Sequence, residues 1–467
     1  MRKGKKVNEI FSKKEEFARI FEEKIKSKDY NGIKEILETL HPADIAEIIS
    51  DLDPNDSLRV FKLISSLKNA GDVLSHLGVL AEGVERDILK HLSDEKISAI
   101  ISEMESDEAV DILNLFPRER VLKILKLLAP EIRDELRELL EYKSDTAGGL
   151  MDFEYFAVNQ EKTVKEAIEI IRSEILPRSS KVYSYINVYV VDDFGRLVGY
   201  LPMRDLLIMP QQKKIKEVMD KNIIKVSPDV DQEEVAKLFI KYDLVSLPVV
   251  DEEGRILGRI TVDDVIDVIQ EEATEDMLKM AGTEEDELWQ HSVFKVASIR
   301  IPWLFTTLIG GLCSALILKK FSITISQYVT LVFFVPVIAG MGGNIGIQTS
   351  TIVVRGLATG YIKPSEVGWV LLREIQVAAI MGLSFGIIVG TVAKLMGDSP
   401  VIGMIVGVSM FFAIIVAALM GCLIPIFFKK ISVDPAISSG PFVTTANDIT
   451  GLLIYLSLST ALIKYLN

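Results

Sequence analysis

One carboxylate stands out because of the sequence that surrounds it. Asp448 lies in TTANDIT (444–450), and it is the one charged residue of an apolar stretch that covers roughly 435–463. Placing a carboxylate in a membrane span costs about 2.5–3.5 kcal/mol, so carboxylates retained there usually mark an ion or proton path. The alternative is an aspartate that caps a helix near the interface. Asp434, in the preceding loop, could attract cations to the inner mouth of a pore or simply form a turn.

One carboxylate supplies little charge for a divalent ion. A two-fold dimer would present Asp448 twice on one axis. Mg²⁺ holds its water shell tightly and usually meets one or two carboxylates beside or through those waters. The pattern therefore fits hydrated magnesium in a dimer better than a dehydrated calcium site.

The segment PVIAGMGGNIGIQT (336–349) is the second region of interest. Pro336 and four glycines should loosen a helix at membrane depth, and Asn344 and Gln348 add polar groups. Backbone freed in this way is tolerated only against protein or a water-filled cavity. Packing of small residues between helices is the alternative interpretation.

Both regions belong to a series of apolar segments that begins after residue 300. A span needs about 20 residues, and five segments approach or exceed this length. They cover 301–318, 321–354, 375–393, 399–428 and 435–463. The second and fourth are long enough to require tilt, interfacial ends or a broken helix. Flanking basic residues favour a cytoplasmic N-terminus and an outside C-terminus, and the first residues do not resemble a signal peptide.

The charges divide the chain into two parts. Residues 291–467 contain 11 basic and 5 acidic residues, so residues 1–290 contain 52 − 11 = 41 basic and 66 − 5 = 61 acidic ones. A soluble part this acidic argues against nucleic acid as a partner. Two cysteines, both in apolar segments, imply no disulfide framework. The sequence has no phosphate loop, paired histidines or nucleophile–base motif, so we expect no enzyme.

A twelve-residue repeat predicts short helices between 40 and about 140. LHPAD (40–44) returns as LDPND (52–56), and related turns begin at 92, 104, 116 and 128. Each combines an apolar residue, a proline or capping residue, and an acid in the first helical turn. Such short helices must stack to bury their apolar faces, which predicts a superhelix. Asp107 and Asp111 share a helix face, although a solvated surface is the simpler interpretation of any single acid here.

A longer repeat covers about 146–269. VVDDFGRLVG (190–199) aligns with VVDEEGRILG (249–258), 59 residues later, and each copy predicts two strands, a glycine turn and a helix. The repeat resembles the CBS domain pair, which often binds adenine nucleotides through a Ser or Thr three residues before an Asp. Thr261 and Asp264 match this pattern. Pro202 replaces the hydroxyl in the first copy, where Asp205 remains and Arg204 could meet phosphate.

Residues 271–290 contain eight acids and one lysine. We expect much of this segment to be helical, with Glu271 and Glu272 stacked one turn before Glu275 and Asp276. Like charges at that spacing are mildly destabilising, so a cation should stabilise the helix when other acids pack near it. A connecting helix joined to the first span could convert this neutralisation into movement of the membrane part.

Taken in order, these parts resemble the MgtE magnesium channels across nearly the whole chain. The segment 336–349, followed by TIVVRGLATG (351–360), is similar to the membrane signature of that family, and SDTAGGLM (144–151) is similar to the start of its CBS pair. The resemblance implies a multi-domain fold of five parts. These are an all-α superhelical N-domain (1–140), two α/β CBS domains (141–210 and 211–270), an acidic connecting or plug helix (271–298) and a pore domain of five transmembrane helices (299–467).

The resemblance also implies how the parts work. The family forms homodimers, usually in a bacterial inner membrane, with a pore between the second and fifth spans in which Asp448 holds Mg²⁺. The pore-lining positions would be Gly343, Asn344, Gln348, Gly440, Thr444 and Asn447. Cytoplasmic Mg²⁺ closes the pore through acids that would be Asp107, Asp111, Asp264, Glu272, Glu275, Asp276, Glu233 and Asp243. ATP, held by Arg204, Asp205 and Thr261, would be a regulatory ligand.

The membrane potential drives Mg²⁺ inward, and closure of the pore by internal magnesium would oppose this accumulation. A potential of 100 mV contributes about 4.6 kcal/mol for a doubly charged ion, so an open pore would overfill the cell. Two other classes stay open. An ion-coupled secondary transporter of Co²⁺, Mn²⁺ or Ni²⁺, regulated by nucleotide at the CBS pair, would use Asp448 as a protonatable group. A pure nucleotide sensor would leave Asp448 unexplained.

Overall fold

A computed structural model describes residues 20–21, 23–178, 187–284, 287, 292–363, 367–397, 399–431 and 433–466. The chain divides into two compact units, Met1–Gln270 and Glu271–Asn467. Each unit is described by itself below.

The first unit begins with short α-helices. They are α1 (Tyr30–Leu37), α2 (Pro42–Ser50), α3 (Pro54–Lys62), α4 (Leu67–Lys90), α5 (Asp94–Ile101), α6 (Ser106–Asn114), α7 (Arg118–Leu127) and α8 (Pro130–Leu139). Six of them start two residues after the predicted turns, at 42 and 54 and then at 94, 106, 118 and 130, so that the spacing is twelve residues within each of the two runs. Each of the six has an acid in its first turn. The repeat prediction is therefore confirmed.

Stacking of these helices forms the core. Fully buried side chains such as Ile45, Leu74 and Ile97 belong to one hydrophobic cluster that continues into the second CBS copy through Val249 and Ile260. None of the short helices could bury its apolar face alone, so the stacking supplies the stability that their length cannot.

The CBS region follows within the same unit. Its elements are α9 (Ala147–Leu150), β1 (Ala157–Asn159), α10 (Val164–Arg178), β2 (Asn187–Val191), β3 (Leu197–Pro202), α11 (Met203–Leu206), α12 (Ile215–Val218), α13 (Gln232–Tyr242), β4 (Ser246–Val250), β5 (Ile256–Thr261) and α14 (Val262–Ala281). The antiparallel pairs β2–β3 and β4–β5 are equivalent, and β1 adds a parallel strand to β2.

The two copies match in detail. Their turn glycines, Gly195 and Gly254, have φ angles of +76° and +83°, which glycine adopts at no steric cost. Each strand pair also has an irregular register at the same position, between Val190 and Val191 in one copy and between Val249 and Val250 in the other. The predicted 59-residue repeat is thus confirmed. Helix α14 leaves the second copy without interruption and carries the first acids of the connecting segment; Glu285 and Asp286 lie outside the described residues.

The second unit is made of long apolar helices. Its elements are α15 (Val293–Lys320), α16 (Ser322–Gln327), a 3₁₀ helix (Val329–Phe334), α17 (Val335–Ala358), α18 (Val367–Gly397), α19 (Pro400–Lys430), α20 (Pro435–Ser439) and α21 (Pro441–Leu466). Within the described part of the chain, five helical segments are long and apolar enough to cross a membrane, which agrees with the five predicted spans.

The second apolar segment is broken, but the break does not lie at the glycines of 336–349, where the sequence predicts it. The short α16 and the 3₁₀ helix come first, and Pro336 stands in the first turn of α17, where its missing N–H costs nothing. From there α17 continues without interruption through the glycines. The expectation of a loosened helix over 336–349 is therefore wrong. At Gly346 the absence of a side chain instead makes room for Asn447 of α21, which is the small-residue packing alternative.

The fourth segment is one continuous helix, α19, and glycines set its contact with α18. A Cβ added at Gly386 or at Gly390 would lie 2.7 Å from the carbonyl oxygen of Gly407 or Gly403, respectively. The two backbones therefore touch, which is typical of helix packing in membranes. The fifth segment divides at Gly440 into the short α20 and the long α21.

Candidate cation sites

Asp448 lies half-buried in α21, next to a contact between α21 and α17. The neighbouring Asn447 is 1% exposed, and its Nδ2 donates a hydrogen bond to the carbonyl oxygen of Gly342 at 3.2 Å. Within this chain Asn447 therefore joins the two helices and does not face open space. The Asn447 amide is thus a contact between α21 and α17 directly beside Asp448.

The other predicted pore-lining residues are placed differently. Asn344 and Gln348 are exposed one turn apart on α17, and a Cβ at Gly343 would meet nothing within 4 Å. This part of α17 is thus an uncovered, partly polar surface. Thr444 turns its hydroxyl back to the Gly440 carbonyl oxygen at 3.1 Å. Gly440 itself is in close contact with the backbone of Met280.

Sequence reasoning missed a buried acid in the membrane unit. Glu374 of α18 is 7% exposed, and its Oε1 accepts a hydrogen bond from Arg373 at 2.9 Å. The third predicted apolar segment begins after it, at residue 375. The signal that could have found it is the Arg–Glu pair directly before an apolar run, since a self-neutralising pair can enter a helix end that an isolated acid avoids.

Asp434 uses both carboxylate oxygens within the chain. Its Oδ1 accepts a hydrogen bond from the backbone N–H of Ala436 at 2.8 Å and so caps α20. Its Oδ2 accepts one from the Lys279 ammonium at 2.7 Å, and the same ammonium is 2.6 Å from Glu275 Oε1. In this conformation the counter-charge of Asp434 comes from the connecting helix.

In the first unit, α6 and the start of α14 bring three predicted acids into one neighbourhood. Asp107 is 8% exposed, and its Oδ1 has no hydrogen-bond partner among the described residues. Burial, followed by the charge of Asp264, raises the pKa of Asp107 well above its usual range. Burying a carboxylate without a partner is costly, so Asp107 is a place where a cation or a proton would be stabilising.

Its two predicted neighbours are less deeply buried. Asp264 accepts hydrogen bonds from the backbone N–H and the hydroxyl of Thr261 at 3.0 and 2.6 Å, yet burial still raises its pKa to about 6. Asp111 is exposed along part of its side chain, but removal of its carboxyl group from water and the charge of Asp264 raise its pKa to about 7. Asp107 is therefore not an ordinary solvated acid, whereas the exposed Asp111 agrees with the solvated-surface alternative.

Two further acids that the sequence reasoning missed complete this group. Glu85 of α4 is 4% exposed, and burial, then the charges of Glu82 and Asp111, raise its pKa to about 8. Asp152 is 3% exposed, and burial raises its pKa to about 7 although it is paired with Arg259 at 3.2 Å. Asp152 could have been noticed because it directly follows SDTAGGLM; no sequence signal marks Glu85. We call Glu85, Asp107, Asp111, Asp152 and Asp264 the acidic cluster.

The acidic cluster is not a closed metal cage. Among the residues that the structure describes, no three His, Cys, Asp or Glu side chains converge to metal-binding distance. The carboxylates are close enough to raise one another's pKa and too far apart to share one dehydrated ion. That spacing suits a hydrated cation, which meets carboxylates through its own waters.

Glu233 and Asp243 are not brought together within the chain. They mark opposite ends of α13, about 15 Å apart at 1.5 Å per residue. Glu233 pairs with Lys237 at 3.2 Å, whereas Asp243 adopts a left-handed conformation with φ +51° just after the helix.

The candidate nucleotide residues occupy equivalent places in the two copies, at the ends of β3 and β5. The Thr261 hydroxyl is bonded to Asp264, and Arg204 is 86% exposed with Asp205 3.5 Å away. An exposed guanidinium beside a strand end is available to a phosphate.

Comparison with known proteins identifies the family. The MgtE family described as divalent cation transporter matches residues 335–458, the MgtE intracellular N domain matches 40–145, and the CBS domain matches 147–209 and 215–271. The magnesium transporter MgtE of Thermus thermophilus is 35% identical over 96% of this chain and 99% of its own length. This chain belongs to the MgtE family.

A second curated relative agrees, and a solved structure is similar to part of the chain. The magnesium transporter MgtE of Enterococcus faecalis is 32% identical over 98% of this chain and 100% of its own length. The crystal structure of the cytosolic domain of the Mg²⁺ channel MgtE in complex with ATP is 36% identical and covers 54% of this chain and 99% of that chain, with a TM-score of 0.49. The predicted MgtE family and multi-domain fold class are confirmed; the exact domain boundaries stay predictions.

Proposed function

We propose that this chain is a magnesium channel in which Asp448 holds hydrated Mg²⁺ as it crosses an inner membrane, with cytoplasmic N-terminal domains and the C-terminus outside. The observation that carries the proposal is the half-buried Asp448, the single acid of α21, in a chain of the MgtE family whose curated relatives are magnesium transporters. A carboxylate that is retained in a membrane span despite the free-energy cost of its insertion usually has a function.

The conduction path would form between two copies of the chain. The uncovered surface of α17 around Gly343, Asn344 and Gln348 supports this, because exposed amides in a membrane helix need a partner or water. A two-fold axis beside this surface would present Asp448 and Thr444 twice. Asn447 would contribute indirectly, by fixing α21 on α17.

Cytoplasmic magnesium would close the path through the acidic cluster. The residues fit such an ion, since Asp107 has a buried oxygen without a hydrogen-bond partner among the described residues and Arg259 is the buried counter-charge of Asp152. Magnesium would stabilise the packing of α6 against α14. Glu272, Glu275 and Asp276 continue the same helix, and Glu233 and Asp243 would act across the dimer.

ATP would be a regulatory ligand at the CBS pair. Arg204 is free to meet phosphate, with Asp205 beside it, while Thr261 and Asp264 occupy the positions that hold ribose in CBS pairs. A nucleotide there would compete with the Thr261–Asp264 hydrogen bonds and so act on the acidic cluster.

The test is uptake of Mg²⁺ into proteoliposomes at low and high magnesium on the cytoplasmic face. We expect Asp448→Ala to abolish uptake, Thr391→Ala on the exposed side of α18 to preserve it, and native uptake to fall as cytoplasmic magnesium rises. Single-channel currents would separate a channel from a carrier. Undiminished uptake by Asp448→Ala would contradict the pore assignment, and native uptake indifferent to cytoplasmic magnesium would contradict closure by the acidic cluster.

A further inference from the structure

The end of the connecting helix is attached to the segment that precedes the last span. Lys279, near the C-terminus of α14, is the one basic residue between 271 and 290. Its ammonium lies 2.7 Å from Asp434 Oδ2 and 2.6 Å from Glu275 Oε1, and its side chain is only 20% exposed. Partial burial alone would lower the pKa of Lys279, but the hydrogen bonds to Asp434 and Glu275 outweigh it and raise this pKa. The ammonium therefore forms salt bridges with both carboxylates.

The acceptor side of this contact is held in place. Asp434 cannot turn away without losing the cap of α20, because its other oxygen accepts the Ala436 N–H at 2.8 Å. α20 leads within a few residues to α21, which carries Asp448. A force on Asp434 therefore acts close to the start of the proposed pore helix.

Backbone atoms of the two segments also approach each other closely. Gly440 lies so close to the Met280 carbonyl oxygen that no side chain fits between them. Gly282, with φ +78°, ends α14 so that a Cβ there would be 3.2 Å from Pro441 Cγ. A close approach of this kind needs glycine at both places. The contact thus runs from Lys279 to Gly282 on one side and from Asp434 to Pro441 on the other.

We propose that Lys279 is a positioning residue that acts as a tethered cation. Its ammonium pairs with the Asp434 carboxylate and holds the connecting helix against the start of α21, so that the closed arrangement is favoured before any magnesium binds. This inference rests on the proposed channel function. A lysine on a helix cannot diffuse away as an ion can, so its contribution does not depend on the magnesium concentration. When the helix withdraws, the Asp434 carboxylate loses its chain-borne counter-charge and can attract cations.

Removing the ammonium should make the pore harder to close. A partly exposed ion pair contributes up to about 1 kcal/mol, which corresponds to about a two- to fivefold change in an equilibrium. We therefore expect Lys279→Met to need about two to five times more cytoplasmic magnesium for half-closure. Lys279→Arg should stay close to the native value, and Lys221→Met, at an exposed lysine in the CBS region, should behave as native.

A second measurement separates this proposal from the channel function. Hydrogen exchange of the amides of residues 275–282 is measured on the full chain in lipid nanodiscs without magnesium. Exchange should be faster in Lys279→Met and in Asp434→Asn, which keeps an oxygen for the cap of α20, and it should stay close to native in Lys279→Arg. This readout does not need conduction, so it tests the attachment even if the native chain carries no magnesium.

The outcomes are distinct. Unchanged exchange in Lys279→Met would overturn the attachment. Faster exchange with an unchanged half-closing concentration would show that the contact is only structural and would overturn the gating role. Exchange in Lys279→Arg as fast as in Lys279→Met would overturn the ionic basis of the contact.

Discussion

The acidic cluster and the Lys279–Asp434 contact differ in the source of their positive charge. Within the described part of the chain, the five carboxylates of the acidic cluster have one buried guanidinium, that of Arg259, bonded to Asp152, and the partly exposed Arg86 lies near Glu85. At the other site, Glu275 and Asp434 share an ammonium that belongs to the chain. Carboxylates left without a chain-borne counter-charge can respond to the concentration of a cation or proton. A carboxylate neutralised by a lysine cannot, and it sets a constant bias instead.

We expect the largest effect on stability from the loss of Arg259, the cationic side chain buried in the acidic cluster. Arg259→Met would leave Asp152 buried among other acids, and breaking a buried pair in this way costs about 3–5 kcal/mol. We expect a clear fall in the midpoint of the first thermal unfolding transition of the full chain in detergent, with partial recovery in magnesium. Arg255→Met, which removes an exposed pair with Asp251, is the matched control and should change little. If both variants lowered the unfolding midpoint by the same small amount, the assignment of Arg259 as the buried counter-charge of the acidic cluster would be wrong.

The next effect concerns protons. The folded-state pKa of Glu85, about 8, lies above its ordinary value of 4.5, so the folded chain binds the proton more tightly than the unfolded chain. Its contribution to stability is therefore present below pH 4.5 and is lost as the pH rises toward 8.

Glu85→Gln removes this dependence. Without magnesium, we expect the variant to be more stable than the native chain by on the order of 2 kcal/mol at pH 8 and nearly equal to it at pH 4.5. Unfolding is followed at both pH values, with Glu161→Gln at an exposed site as control. A gain that is the same at both pH values would contradict the assignment of the pH dependence to Glu85.

The smallest effect on stability tests the need for an external cation. Asp107→Asn removes one repelling charge and should stabilise the magnesium-free chain by about 1 kcal/mol, because part of the gain is offset by the new amide, which needs its own acceptor. More telling is the rise in unfolding temperature that magnesium causes in the native chain, which should be largely lost. Asp193→Asn, at an exposed turn, should keep this rise. If Asp107→Asn kept it too, magnesium would not act through Asp107.

Much of the fold could be predicted because it depends on local patterns. The helix starts at 42, 54, 94 and 130 follow from prolines or a capping serine, and those at 106 and 118 follow from the twelve-residue spacing. The CBS copies follow from a repeat that includes Gly195 and Gly254. The candidate site was predicted less completely. Asp107, Asp111 and Asp264 were found through a family resemblance, whereas Glu85 and Asp152 were missed, since burial of a single acid depends on which helices pack over it.

The sequence by itself determined the division into an acidic soluble part and an apolar part, the five spans and the position of Asp448, because charge and hydropathy act along the chain. Only the tertiary structure decided that α17 stays helical through its glycines, that Asn447 is a helix contact, and that Lys279 reaches Asp434, 155 residues away. Those outcomes depend on which backbones approach closely enough to touch, and no local preference of the sequence specifies that approach.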